Sequence, residues 1–243
     1  MQNLLAILDL APQRFDNFIV GQNQEIVDKL KKLSNEIANN DSQQLIESKN
    51  RSLKDNYYLW GESGSGATHL LQAFNNQFSS EHTIYLPVDK LSDEIIEKHR
   101  YLIYLIDNIS NSLDLPSQRC LFSLLRKADA NEIMLILAGE NPKNLSDMPK
   151  EISTRIAKMQ SHKLIKLSDY QKMQAMIGYA KRKEFRLNTE IANLFLKLFP
   201  RDMRVLISLI DKFDDWSLAN KTSPTLAMAR KMIKTDSNIH NNL

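Results

Sequence analysis

From the start of the chain up to Lys166, short apolar segments alternate with segments whose apolar residues recur at helical spacing. Signals for buried strands lie at 56–60, 83–88, 101–106 and 133–138. Helical patterns lie before and between these runs, at 26–37, 68–78 and 117–128. Because strands that alternate with helices form parallel sheets, the pattern predicts an α/β domain whose sheet is covered on both faces.

The pattern changes after Lys166, where helical stretches follow one another at 168–183, 188–198, 201–213 and 223–233. Ser168 is placed to cap the first of them. The polar tract 39–54 is predicted to be a loop with partial helix. We therefore expect an N-terminal segment at 1–14, an α/β domain at 15–167, a small all-helical domain at 168–235 and a polar tail at 236–243.

Charge, cysteine content and hydrophobicity exclude several classes of protein. The net charge of +3 is spread along the chain, which does not give the dense basic face that strong nonspecific nucleic-acid binding requires. The single cysteine, Cys120, excludes a disulfide framework and indicates a reducing compartment, and it is interpreted as a small apolar side chain on a helix. No His/Cys cluster has zinc-ligand spacing, so no zinc is expected. Without a basic leader or a bilayer-spanning apolar run, we expect a cytoplasmic protein that has no membrane partner.

The glycine-rich segment 61–68 reads Gly-Glu-Ser-Gly-Ser-Gly-Ala-Thr and lies between a predicted strand and a predicted helix. This is the setting of a phosphate-binding loop, in which Gly61, Gly64 and Gly66 let backbone N–H groups turn toward phosphate oxygens. The hydroxyl of Thr68 stands where Mg²⁺ would be held. The alternative is a glycine turn that is kept only for packing.

Ala67 occupies the position where a phosphate-binding loop carries lysine. Losing one charge-assisted contact to the terminal phosphates costs roughly 1.5–3 kcal/mol, which is roughly a 10- to 150-fold loss of affinity. The backbone groups of the loop remain, so ADP or ATP with Mg²⁺ is the cofactor expected here, bound weakly.

A second acidic site follows the apolar run 102–106, which ends in Asp107. In phosphate-loop proteins such an aspartate helps to hold Mg²⁺, although aspartate also ends strands for capping reasons. The next residue is Asn108, which cannot act as a base for water. Together with Ala67, it predicts a degenerate ATPase whose own hydrolysis is absent or very weak.

The ordered set of motifs resembles the AAA+ class and, within it, the Hda family of DnaA-related regulators. The segments that carry the resemblance are 15–21, 58–71, 105–109, 137–142, 152–156 and 200–204. The resemblance implies an AAA+ P-loop domain followed by a helical lid domain. The chain ends shortly after this lid, which leaves no room for the DNA-binding domain of DnaA, so direct sequence-specific DNA binding is not expected.

The resemblance also implies roles for three polar residues. Arg155 stands in the segment that carries the arginine finger, which would be supplied in trans to ATP held by DnaA, although a solvated cation at a helix end is the alternative. Asn141 lies in the first-sensor segment and Arg204 in the second-sensor helix, where both would face nucleotide. For Arg204 the alternative is an ion pair with Asp202 or Asp211.

The N-terminus resembles a short motif that binds the DNA polymerase sliding clamp (beta). Gln2, Leu5 and Ile7 match its anchoring positions, whereas Asn3 and Ala6 depart from it. A flexible segment with a glutamine and two aliphatic side chains suits an apolar pocket on a partner. The alternative is that these apolar residues pack on the chain's own core.

The function implied is negative regulation of replication initiation. A protein tethered to the DNA-loaded clamp would stimulate hydrolysis of ATP bound to its partner DnaA. A helicase-loader or clamp-loader type of AAA+ protein, or a non-catalytic AAA+ scaffold, remain as alternatives. A homo-oligomer also stays open.

Overall fold

The computed structural model describes residues 12–39, 53–98 and 101–235. The clamp-motif residues Gln2, Leu5 and Ile7 and most of the polar tract lie outside the described residues. The chain divides into two compact units, of which one spans Gln13–Lys166 and the other contains the residues from Leu167 onward. Each unit has its own hydrophobic core.

The first unit is built from helices and strands in alternation. In chain order they are α1 (Gln24–Asn39), β1 (Tyr57–Gly61), α2 (Ala67–Asn75), β2 (Thr83–Pro87), α3 (Asp93–Lys98), β3 (Ile103–Ile109), α4 (Leu115–Asp129), β4 (Met134–Gly139), α5 (Lys150–Ile156) and β5 (Gln160–Leu164). Short 3₁₀ turns lie at Leu53–Asp55, Val88–Lys90 and Pro142–Asn144.

The strands form one parallel sheet with the order β2-β3-β4-β1-β5. Successive side chains of a strand point to opposite faces, and both faces are buried. On one face, alternate residues such as Leu105 and Ile136 pack against α1 and α2. On the other face, Ile106 and Leu137 pack against α3, α4 and α5. This double cover explains why the central strands read as continuous apolar runs, and it confirms the predicted α/β fold.

The second unit contains four helices among its described residues. They are α6 (Asp169–Arg182), α7 (Thr189–Leu198), α8 (Met203–Ala219) and α9 (Leu226–Thr235). Their apolar faces enclose a core in which the ring of Phe213 meets the rings of Phe185 and Phe195 edge-on, at centroid distances of 5.6 and 5.9 Å. The predicted all-helical lid is confirmed.

Several elements differ from the sequence-based expectation. β5 was not among the predicted strands. It is an edge strand of the sheet, and Gln160–Leu164 has a single buried residue and therefore no apolar run. The last helix begins at Leu226 instead of 223, because Pro224 precedes the cap at Thr225, whose hydroxyl accepts the N–H of Met228 at 3.3 Å.

Candidate functional site

The glycine loop connects the end of β1 to the start of α2. Gly64 and Gly66 have φ angles of 80° and 100°, which side chains of L-residues rarely adopt. A methyl group on Gly66 would lie 2.6 Å from the ring of Phe18, and one on Gly61 would lie 2.6 Å from the carbonyl oxygen of Leu164. Glycine is therefore required at each of these positions by conformation or by close packing.

The loop leaves the first turn of α2 open to a ligand. Gly66 is the N-cap residue and offers no side-chain acceptor to the N–H groups of that turn. N–H groups at a helix start, preceded by positive-φ glycines, form a cradle that favours an anion. Ala67 is half-buried and packs on the core, so it adds no charge to this cradle.

Asp107 lies next to the loop and is only 4% exposed. Its Oδ2 accepts the hydroxyl of Thr68 at 2.6 Å and the hydroxyl of Tyr85 at 3.1 Å. Its Oδ1 accepts the backbone N–H of Asn108 at 2.8 Å. The structure thus brings together the two residues that were predicted to hold Mg²⁺, Thr68 and Asp107.

Asn108 bulges out of β3 beside this aspartate. Its φ is 63°, its side chain is exposed, and the pairing of β3 with β4 shifts register between Ile106 and Ile109. Asparagine is one of the few residues other than glycine that accept the left-handed region at low cost. The backbone therefore suits the asparagine, while the amide cannot take a proton from water.

The residues present fit a nucleoside diphosphate with Mg²⁺. The positive-φ glycines and the uncapped first turn of α2 would receive the phosphates. The hydroxyl of Thr68 and the carboxylate of Asp107, already within hydrogen-bond distance of each other, are the oxygen ligands that Mg²⁺ prefers.

Asn141 lies at the same edge of the sheet as the glycine loop. Trp60 of β1 pairs with Gly139 of β4, so both strands end there, at what we term the carboxyl edge. The Oδ1 of Asn141 accepts the N–H of Lys143 at 3.1 Å and caps a 3₁₀ turn. Just before it, the backbone oxygen of Glu140 accepts the buried hydroxyl of Tyr58 at 2.7 Å, and burial raises the pKa of that tyrosine well above its ordinary value.

Arg155 stands in the last turn of α5 and is turned toward its own unit, with its side chain 25% exposed. Its Nη1 donates to the carbonyl oxygen of Glu151 at 3.0 Å, and the guanidinium lies 5.2 Å from the ring centre of Phe122. Its Nε is 3.8 Å from Oδ2 of Asp129, too far for a hydrogen bond, and has no other partner among the described residues. Arg155 is therefore not the fully solvated cation of the alternative interpretation.

Arg204 belongs to the second unit and forms the ion pair that was weighed against a nucleotide role. Its Nη2 lies 3.1 Å from Oδ2 of Asp202, which also caps α8 by accepting the N–H of Arg204 at 2.8 Å. Asp211 is engaged elsewhere, by the hydroxyl of Tyr179 at 2.8 Å and by the ammonium of Lys183.

Two residues near the loop, Tyr85 and Lys166, were not predicted from the sequence, whereas Phe18 lies in the segment 15–21 that carries the family resemblance. Tyr85 binds the carboxylate of Asp107, Phe18 packs against Gly66, and the side chain of Lys166 lies against Gly64. Tyr85 and Lys166 carry no sequence signal of their own, because each reaches the loop through the pairing of strands that are distant in the chain.

Cys120 confirms its interpretation as a small apolar residue on a helix. It lies buried in α4, and burial raises the pKa of its thiol to about 11, aided by the nearby Asp93 carboxylate. In the described parts of the chain, no group of three or more His, Cys, Asp or Glu side chains could hold a metal ion. Over the same residues, no helix has the length and apolar character needed to cross a bilayer.

Comparison with known proteins adds to this geometry. Residues 169–233 match the family described as Hda, lid domain. An uncharacterized protein of Haemophilus influenzae is 27% identical over 238 residues, which cover 94% of this chain and 96% of that protein.

Solved structures share the fold. Domain III of the replication initiation protein DnaA from Thermotoga maritima gives a TM-score of 0.65 at 20% identity and covers 93% of this chain and 97% of that one. AMPPCP-bound DnaA from Aquifex aeolicus gives a TM-score of 0.61 at 20% identity, covering 85% of this chain and 66% of that one. The lid-domain match and the DnaA-like fold confirm the resemblance inferred from the sequence: residues 169–233 match the Hda lid, and the chain has the fold of the DnaA AAA+ domains.

Proposed function

We propose that this protein is a negative regulator of replication initiation that stimulates hydrolysis of ATP bound to DnaA. Arg155 would be its arginine finger, supplied in trans to the nucleotide that DnaA holds. A guanidinium in that position stabilises the charge that develops on the transferring phosphoryl group and is worth about 10³–10⁵ in rate in comparable systems. The match of the lid to the Hda family supports a DnaA-regulating role.

The observation that carries the proposal is the place of Arg155 relative to the chain's own glycine loop. Asp129, the acidic neighbour of Arg155, ends α4 shortly before β4 begins at Met134. It therefore lies at the amino edge of the parallel sheet, whereas the glycine loop follows the carboxyl end of β1. The length of a five-residue strand, roughly 16 Å, separates the two edges. An arginine at the amino edge cannot reach its own loop, so a nucleotide that it contacts must belong to a neighbouring molecule.

The chain's own site is proposed to bind ADP and to hydrolyse ATP very slowly or not at all. Gly61, Gly64, Gly66 and the first turn of α2 would hold the phosphates, with Thr68 and Asp107 on Mg²⁺. Asn141 and Arg204 would contact the nucleotide as sensors. Two replacements support the lack of turnover: Ala67 removes a cation from the terminal phosphates, and Asn108 removes a base for water.

The N-terminal residues Gln2, Leu5 and Ile7 are proposed to bind the sliding clamp. Tethering to DNA-loaded clamp would raise the effective concentration of Arg155 near DnaA at the origin. A regulator of this kind needs no hydrolysis of its own, which is consistent with both replacements in the nucleotide site.

The test is conversion of DnaA-bound ATP to ADP, measured with this protein present or absent and with DNA-loaded clamp present or absent. We expect the rate to rise only when both components are present. A Gln2→Ala/Leu5→Ala variant should bind the clamp more weakly and should stimulate hydrolysis of DnaA-bound ATP less than the wild type does. If the protein instead captures the replicative helicase and leaves DnaA-bound ATP unchanged, it is a loader and the proposal fails.

A further inference from the structure

We infer that Lys166 supplies the positive charge that Ala67 cannot provide to the phosphates of a nucleotide in the glycine loop. This inference rests on the proposal that the loop binds ADP, and it assigns the cation that the loop itself lacks. It is independent of the arginine finger, because Lys166 acts on the chain's own site.

The topology of the sheet delivers Lys166 to the loop. β5 pairs in parallel with β1, and Leu164 is opposite Gly61, the first residue of the loop. The chain therefore leaves β5 at the carboxyl edge, directly beside the loop. A methyl group on Gly64 would lie 3.6 Å from Cε and 3.9 Å from Nζ of Lys166. The ammonium thus lies over the same glycine whose φ of 80° turns the loop backbone.

The backbone that carries Lys166 is held in place. The buried side chain of Asn23 donates to the carbonyl oxygen of Ile165 at 2.9 Å and accepts the N–H of Ile165 at 2.7 Å. This pair of hydrogen bonds fixes the backbone of Ile165, and the backbone of Lys166 therefore has a defined position beside the loop. Its flexible four-carbon stem then allows the ammonium to move toward phosphate oxygens.

The charge of Lys166 is available for a ligand. The side chain is exposed, and within the described ranges its ammonium has no ion-pair partner. The neighbouring Lys163 is turned to the ring of Trp60, 5.5 Å from its centre. The only charged residue of the loop itself is Glu62, which repels phosphate. Lys166 is therefore placed to supply a cation to a phosphate group in this loop.

The test is the dissociation constant for Mg²⁺-ADP, measured by calorimetry on the full chain. We expect Lys166→Ala to weaken binding roughly 10-fold, as loss of a charge-assisted contact does. Lys158→Ala is the matched control, because Lys158 is also exposed and precedes β5, which places it at the opposite edge of the sheet. It should keep the wild-type affinity, and Lys166→Arg should retain most of it.

A double-mutant cycle with Ala67→Lys sharpens the test. A lysine at 67 would contact the same phosphates, so Lys166→Ala should cost clearly less in that background than in the wild type. If the wild type binds ADP and Lys166→Ala binds it equally well, the inference is wrong while the ADP proposal stands. Binding by Ala67→Lys alone, with none by the wild type, would overturn both.

Discussion

Gly66 combines two constraints at the turn where the nucleotide site begins. Its φ of 100° lies in a region that is open to glycine, and an added methyl group would overlap the ring of the buried Phe18. The spacing of the loop glycines in the sequence was enough to predict this turn, because the pattern of strand, glycines and helix is local. The same holds for Asp107, which ends a strand.

Replacing Gly66 with alanine should destabilise the first unit by about 2 kcal/mol, through backbone strain and the displaced phenyl ring. Gly178→Ala is the control, since Gly178 lies inside α6 and an added methyl would meet nothing closer than Arg182 Nη1 at 3.9 Å. That change should raise stability by about 0.5–1 kcal/mol. Urea unfolding measures both, and equal effects of the two variants would contradict the strained turn.

His162 gives the fold a pH dependence that can be checked. Burial lowers its pKa below the ordinary value of 6.5, and the nearby ammonium of Lys29 lowers it further, partly offset by Glu25. The unfolded chain then binds more protons, so stability is full above about pH 6.5 and declines as the pH falls toward the folded-state pKa.

In the His162→Gln variant, stability should fall less than in the wild type as the pH is lowered, because the contribution of His162 is removed. Unfolding free energies measured about one pH unit above and below the ordinary histidine pKa test it. An identical loss of stability in the wild type and the variant over that interval would show that His162 does not contribute.

At the scale of helices and strands, capping and periodicity were readable from the sequence, but pairing at the sheet edge was not. β5 reads Gln-Ser-His-Lys-Leu, and only Leu164 is buried. Its strand conformation comes from hydrogen bonding to β1, which lies far away in the chain. Lys166 was missed for the same reason, because its approach to the loop depends on a strand without an apolar pattern.

Ser168 begins the helical unit with the cap that the sequence predicted. Its hydroxyl accepts the N–H of Gln171 at 3.2 Å, and the side chain of Gln171 accepts the N–H of Ser168 at 2.9 Å. Ser168→Ala should therefore lower the stability of this unit by about 1 kcal/mol.

Ser223→Ala is the matched control for this helix cap. Ser223 is exposed and lies in the connection between α8 and α9. Its loss should change stability by less than about 0.5 kcal/mol. Hydrogen exchange of the α6 amides measures the local effect, and we expect faster exchange in Ser168→Ala than in Ser223→Ala. Equal protection in both would argue against the capping box.

At the scale of the whole molecule, the sequence predicted the order of an α/β unit and a helical unit correctly. The change from alternating strands and helices to helices alone is a long-range pattern, so single misplaced elements do not obscure it. The direction of the Arg155 side chain was not predictable, because it depends on Phe122 and Asp129 of α4. These contacts hold the guanidinium on its own unit, and engagement of a partner's nucleotide would require it to rotate outward.

The most direct test of the trans-arginine proposal is single-turnover hydrolysis of DnaA-bound ATP, with DNA-loaded clamp and four forms of this protein. The forms are wild type, Arg155→Ala, Arg155→Lys and Arg230→Ala, the last replacing an exposed arginine of α9 as a control. We expect the wild type and the control to accelerate hydrolysis. With Arg155→Ala the stimulated rate should be lower by about 10³-fold or more. Arg155→Lys should recover little, because an ammonium lacks the planar fork of the guanidinium. Undiminished acceleration by Arg155→Ala would contradict the arginine finger and favour a scaffold.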